Sequence, residues 1–542
     1  MLSYRKLAMR VLGRPLHTGG IDSPRPASQR AAAFALTAAM LITLAAPAFA
    51  ETWYIENGDI TVKAGDTKGT NKVSQGDKKD VEDTNTIITN QKTDKASSNT
   101  VTIEANGKND KVEVTLKDVN IDASSRNNAA VSVTGSCNTT IKLDGDNALK
   151  SDTYRSGIAS TGSLTISGGE NDSLTAQGGS GANGISSSGS LTISGGTVTA
   201  NGDDGGHGIY SRGGVTISGG STVTANGRSG TISGGDGIRS DGGVTISGGT
   251  VNATGGNGGT ISGGDGIRSG GGLTVSDGTV TAKGGNGDSK DGYGGDGIRS
   301  GGVVTISGNT VNAAGGYGGK VGGYGICSFD RVAISGGTVE AAGGNGSTGG
   351  GSGIYSSVID LSGSLELTAK AGSPTGKALL QNGKELDLDA IKDKLGPGAK
   401  VTTTDADGKV IKQVSIPRPV EPEKPVIPEE SSSSSDGGSA TPSAPASPLP
   451  GLTVTDKSGA VISYTSTQSG NTLTICVGRL TASLRASLSA LRQLRAEGIE
   501  TIAFQTVLCS TTLSVDELLA MGGEDAEAVL THRSTDSSLT VG

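Results

Sequence analysis

Between residues 157 and 354 a Gly-Ile pair recurs eight times, beginning at Gly157, Gly184, Gly208, Gly237, Gly266, Gly297, Gly325 and Gly353, at spacings of 24 to 31 residues. The residues after each pair are almost as regular. Gly-Ile-x-Ser leads into an apolar-Thr-Ile-Ser-Gly-Gly run, then Thr-Val-x-Ala, then a Gly-rich loop of variable length; residues 237–240, 244–249 and 250–253 form one clean copy. Apolar and polar residues alternate, so the local period is two and each phrase is a short strand. Gly density and β-branched Val, Ile and Thr disfavour helix. Three short strands per repeat cannot bury their inward residues alone, but stacking coil on coil at ~4.8 Å buries Ile over Ile and Val over Val. A propeller would require four strands per repeat and aromatic punctuation. The expected fold is mainly β: a right-handed parallel β-helix solenoid.

Composition agrees by exclusion. The chain of 542 residues holds 92 Gly but only 15 Pro, and its Gly has no strict period of three, which excludes collagen. Ile and Val recurring in register exclude a disordered chain. A net charge of -8 gives no basic footprint for nucleic acid. Three His leave little material for a His-based metal site or triad.

The flanks divide into further segments. Residues 1–50 combine a basic region, an apolar run over 31–46 and Ala48-Phe49-Ala50 before Glu51, the pattern of a cleaved secretory signal, with no membrane span left after cleavage. Residues 51–100 are polar, with weak strands at 53–55 and 86–89, and are expected to cap the solenoid, whose repeats fill 101–375. Residues 376–413 are expected to form the other cap, with a short helix near 389–395. A Pro/Ser-rich linker covers 414–450. Residues 451–542 regain ordinary composition and are expected to form a small α+β domain. Its strands are expected at 452–454, 461–464, 473–477, near 501–504 and up to 541, with helices at 480–497 and 514–521. Cys476 and Cys509 share this domain and could pair or stay free.

In Gly-Ile-x-Ser the Ile points inward, so the next residue points outward. Coil by coil that position holds Ala159, Ser186, Tyr210, Arg239, Arg268, Arg299, Cys327 and Tyr355. Three stacked guanidinium groups repel unless anions lie near, and Arg suits carboxylates bidentately. Tyr210 and Tyr355 offer faces for the apolar side of a sugar ring. These five residues, Tyr210, Arg239, Arg268, Arg299 and Tyr355, are the candidate ligand strip, with a solvated charge ladder as the bland alternative. The residue before each pair gives a second column, with Asp236, Asp265 and Asp296 in successive coils. Stacked carboxylates can gather Ca²⁺ or close turns beside the Arg ladder.

Enzyme signatures are mostly absent. No Gly-x-Ser-x-Gly elbow, His-Glu-x-x-His or phosphate loop stands out. A lyase needs carboxylate-bound Ca²⁺ beside a basic side chain, but here those residue types form ladders rather than one centre. A glycosidase needs two carboxylates at a defined separation, and no pair stands apart.

Val-Thr-Leu-Lys-Asp-Val-Asn-Ile at 114–121, Ala-Ala-Val-Ser-Val at 129–133 and Thr-Ile-Lys-Leu-Asp-Gly-Asp-Asn-Ala-Leu at 140–149 lead into the Gly-Ile and Leu-Thr-Ile-Ser-Gly-Gly phrases. Together they resemble the carbohydrate-binding parallel β-helix family of exported bacterial proteins, whose fold is pectate-lyase-like; the resemblance covers about residues 101–370. It implies polysaccharide binding, with calcium held by acidic loop residues, here the Asp-Gly-Ile units of Asp236, Asp265 and Asp296. The C-terminal segment resembles modules appended to surface proteins of gut-type bacteria. The leading expectation is a secreted or surface-displayed polysaccharide-binding protein with a cell-wall or surface partner. A structural stalk or adhesin is the alternative, and a polysaccharide lyase the third.

Overall fold

The computed structural model describes residues 51–106, 111–417 and, in the C-terminal part, 451–456, 460–462, 464–469, 471–477, 481–506, 510–521, 527–532 and 537–541. The signal segment 1–50, nearly all of the linker, Leu480 and Cys509 lie outside the described residues, and with Cys509 the question whether Cys476 and Cys509 pair or stay free. The chain divides into two compact units, Met1–Pro422 and Glu423–Gly542, each described by itself.

The first unit is a parallel β-solenoid of about 13 turns. The first six Gly-Ile-x-Ser phrases form three-residue strands, as in Ile238–Ser240 and Ile267–Ser269, with only the middle side chain outward, and the last two open the long strands Ile326–Ala342 and Ile354–Lys370. Register stacks Ile158 over Ile185, Ile209, Ile238, Ile267, Ile298, Ile326 and Ile354. All are fully buried, and each such burial stabilises by roughly 1.5–3 kcal/mol. Two further ladders complete the core: Ile166, Ile193, Ile217 and Ile246 in one sheet, and Leu174, Val198, Val223 and Val251 in the other.

The Ser of Gly-Ile-x-Ser also points inward. Its hydroxyl is satisfied by the coil beneath, with Ser240 Oγ donating to the Gly213 carbonyl at 2.8 Å and Ser300 Oγ to that of Gly271 at 2.8 Å. Glycine is required where coils approach most closely. A Cβ on Gly264 would lie 2.0 Å from the Gly235 carbonyl oxygen, and one on Gly295 would lie 1.9 Å from that of Gly264.

Parallel pairing already runs through the polar N-terminal segment. Thr52–Tyr54 pairs with Ile87–Thr89, and Ile60–Ala64 with Val101–Glu104. Asn71–Gln75 and Lys78–Asp83 fold against this end as antiparallel strands. At the other end Lys400–Thr404 closes the third sheet and Val410–Ser415 pairs antiparallel against it. A 3-10 turn, Asp389–Lys394, stands at the expected helix position.

The second unit has two four-stranded sheets and the helices Leu488–Ala496 and Val515–Met521, around a core that includes Leu452, Leu488, Leu491, Phe504 and Val515. The expected helix over 480–497 is corrected here: its first half is the strand Ala482–Ser487. Ala482, Leu484 and Ala486 are buried while Ser483, Arg485 and Ser487 face outward, so period two prevails locally. The helix starts only where Ser487 Oγ accepts the Ala490 N–H as an N-cap. Among the described residues of the expected strand at 461–464, Val461 forms an isolated bridge with Thr455. Among the described residues no helix is long and apolar enough to cross a membrane.

Candidate functional site

Parallel register places the outward residue of successive first strands in one line: Ala159, Ser186, Tyr210, Arg239, Arg268, Arg299, Cys327 and Tyr355. All five strip residues therefore share one column. The three Arg side chains stay 35 to 43% exposed, within reach of a ligand. Tyr210 OH donates to Asp241 Oδ2 at 2.7 Å. Cys327 interrupts the strip because it is buried. Exposed Phe329 lies beside this break, its ring 5.0 Å from the Arg299 guanidinium. Aromatic pairs stand at both ends: His207 with Tyr210 at 5.8 Å, and Tyr324 stacked on Tyr355 at 5.0 Å.

The Asp column lies deeper. Asp236, Asp265 and Asp296 are 3, 5 and 4% exposed. Each Oδ1 accepts the backbone N–H of the next residue in the column: Asp236 from Asp265, Asp265 from Asp296, and Asp296 from Tyr324, all at 2.7 Å. Upstream, Asn183 Oδ1 accepts from His207 N–H and His207 Nδ1 from Asp236 N–H. This continuous ladder replaces hydrogen bonds that buried backbone amides would otherwise lack.

Each Oδ2 turns to the Arg three residues on, with Nη1 of Arg239, Arg268 and Arg299 at 3.6, 3.7 and 3.2 Å. Burial first, then the carboxylate of the preceding coil, pushes Asp265 and Asp296 up to about 7, and burial also raises Asp236. Burial, then Arg239, drives His207 down to about 4, so its ring is neutral and Nδ1 is free to accept. This donor set does not fit the calcium that the family resemblance implied. One oxygen of each Asp serves a backbone amide and the other faces a guanidinium, which holds the place a cation would take. Among the described residues no group of three or more His, Cys, Asp or Glu is arranged to hold a metal ion.

A third column was not visible from the repeat phrases. Ser233, Ser262, Tyr293 and Val321 are joined coil to coil by backbone bridges, each three residues before a member of the Asp column. Only counting back from the Asp would have found it, because the preceding loops vary in length. The three columns line a groove of about 530 Å³ that runs along the solenoid axis from His207 to Tyr324. A cavity of about 640 Å³ near residues 64–71 contains none of these side chains.

Fold and groove together define a β-helix with a groove on its outer face, lined by ionic and aromatic side chains. Residues 82–350 match the family described as carbohydrate-binding domain-containing protein, and over that span the chain is similar to it. No curated protein and no solved structure matches the chain.

Proposed function

We propose that this is an exported, surface-displayed protein that binds a polysaccharide along the Tyr210–Tyr355 strip. One observation carries the reading: three half-exposed guanidinium groups in register beside a groove, with an aromatic pair at each end. Guanidinium groups donate to sugar hydroxyls, and aromatic faces cover the apolar side of the rings. The basic flank, apolar run and Ala48-Phe49-Ala50 support export. Repetition of the same side chains coil after coil favours an extended binding face over one reacting centre.

A glycan array tests the reading. The wild type is expected to retain a polysaccharide that the Arg239→Ala/Arg268→Ala/Arg299→Ala variant binds at least roughly tenfold more weakly, about the loss of one or two charge-assisted hydrogen bonds. The variant's circular dichroism should match the wild type, since the inward Ile and Ser ladders are untouched. Equal binding by both proteins would sink the proposal.

A further inference from the structure

Resting on that reading, we infer that the ligand of this groove is an uncharged polysaccharide with free vicinal hydroxyls, and that each sugar meets one Asp carboxyl and one Arg guanidinium. The first argument is charge. Asp236, Asp265 and Asp296 match Arg239, Arg268 and Arg299 one for one at 3.2 to 3.7 Å. Once the carboxylates are ionised, no surplus positive charge remains to hold a uronate or a sulfate. An anionic chain in the groove would lie against three Asp Oδ2 atoms and break an existing ion pair at every coil.

The second argument is an acceptor that nothing fills. Asp236 is one of the residues lining the groove, and its Oδ2 is buried without a hydrogen-bond partner. The nearest candidate, His207 Nδ1 at 3.5 Å, already accepts the Asp236 N–H and offers no proton. A buried polar atom left bare costs about 1–3 kcal/mol, which a ligand hydroxyl donating to it would recover. A hydroxyl both donates and accepts, so two on adjacent carbons can give a proton to the carboxylate and take one from the guanidinium. The third argument is spacing. Coils repeat at ~4.8 Å, close to the length of one linked pyranose ring, so successive sugars meet successive Asp–Arg pairs, with the Tyr293 and Tyr324 rings in the lining to stack on.

Calorimetry with the full chain decides the question, using cellohexaose, mannohexaose and xylohexaose against a galacturonate hexamer. The measurements belong at about pH 8, above the value of about 7 to which Asp265 and Asp296 are raised. One neutral chain is expected to bind at least roughly tenfold more tightly than the uronate, with little dependence on salt, since only charged ligands are screened. Asp236→Asn/Asp265→Asn/Asp296→Asn keeps the Oδ1 ladder but removes the charge. It should weaken the neutral chain roughly tenfold, the order of one hydrogen bond to a charged group, and make the uronate the better ligand. A wild type that prefers the uronate, or an Asn variant that binds the neutral chain unchanged, overturns this inference and leaves polysaccharide binding standing. If the wild type binds neither class, or the triple Arg→Ala variant binds like the wild type, the polysaccharide reading itself fails and the inference falls with it.

Discussion

Asp265 serves as a backbone cap and as an ion-pair partner in a place where water cannot help it. Its carboxyl and that of Asp296 titrate at about 7 in the fold, against an ordinary Asp value of ~3.9. Between those limits the native state holds protons that the unfolded chain has released, so stability falls as pH rises from about 4 to about 7 and is flat above. His207 acts oppositely. Its value drops from 6.5 to about 4, so its neutral ring loses stability as pH falls through that window. Two Asp, joined by the raised Asp236, outweigh one His. Groups held low, such as Asp389 at about 2 through its hydrogen bonds with Lys392 and Lys412, change only in more acidic solution. Thermal melts followed by circular dichroism should therefore give a higher Tm at about pH 5 than at about pH 8, with the difference shrinking in Asp265→Asn/Asp296→Asn. A Tm that is equal at the two values, or higher at pH 8, contradicts the ladder as described.

At the scale of the coil, contact between neighbours is set by glycine rather than by side-chain volume. Gly264 stacks on Gly235 with no room for a Cβ. Gly264→Ala must push two coils apart locally or shift the backbone, and the strain of overpacking, typically about 1–3 kcal/mol, should appear as a lower urea midpoint; an unchanged midpoint would show that the coils yield freely. The same contrast explains what was legible beforehand. The Ile register and the Arg and Asp columns could be counted because Gly-Ile fixes the frame in every repeat. Residues 60–64 could not, since apart from Ile60 and Val62 this strand carries only part-buried residues, Thr61, Lys63 and Ala64, in a polar stretch that resembles a loop. Ala482–Ser487 was hidden because Leu484, Leu488, Leu491 and Leu494 also satisfy a helical period, and only the buried alternation of Ala482 and Ala486 separates the two. The groove's third column escaped because Ser233, Ser262, Tyr293 and Val321 share a place but not a residue type.

For the whole solenoid, each coil touches only its neighbours, so its stability is close to a sum of coil terms and interfaces between them. Removal of one complete repeat should therefore leave a fold, whereas removal of a fraction should not. Deletion of residues 237–265 joins Asp236 to Gly266, so each strand of the next coil inherits the register of the one removed: Ile209 meets Ile267 and Tyr210 meets Arg268. The shortened protein keeps Arg268, Arg299, Asp236 and Asp296 but has one Asp–Arg pair fewer. Cooperative melting should survive with a slightly lower Tm, and affinity for a long glycan should fall by the contribution of one sugar site, while a ligand one sugar shorter should lose less. Deletion of residues 237–250, about half a repeat, would set inward Ile209 against outward Asn252 and is expected to abolish the cooperative transition. If the full-repeat deletion unfolded as badly as the half-repeat deletion, the coils would not be independent units. The groove could then not have been lengthened one sugar at a time by duplication of a repeat.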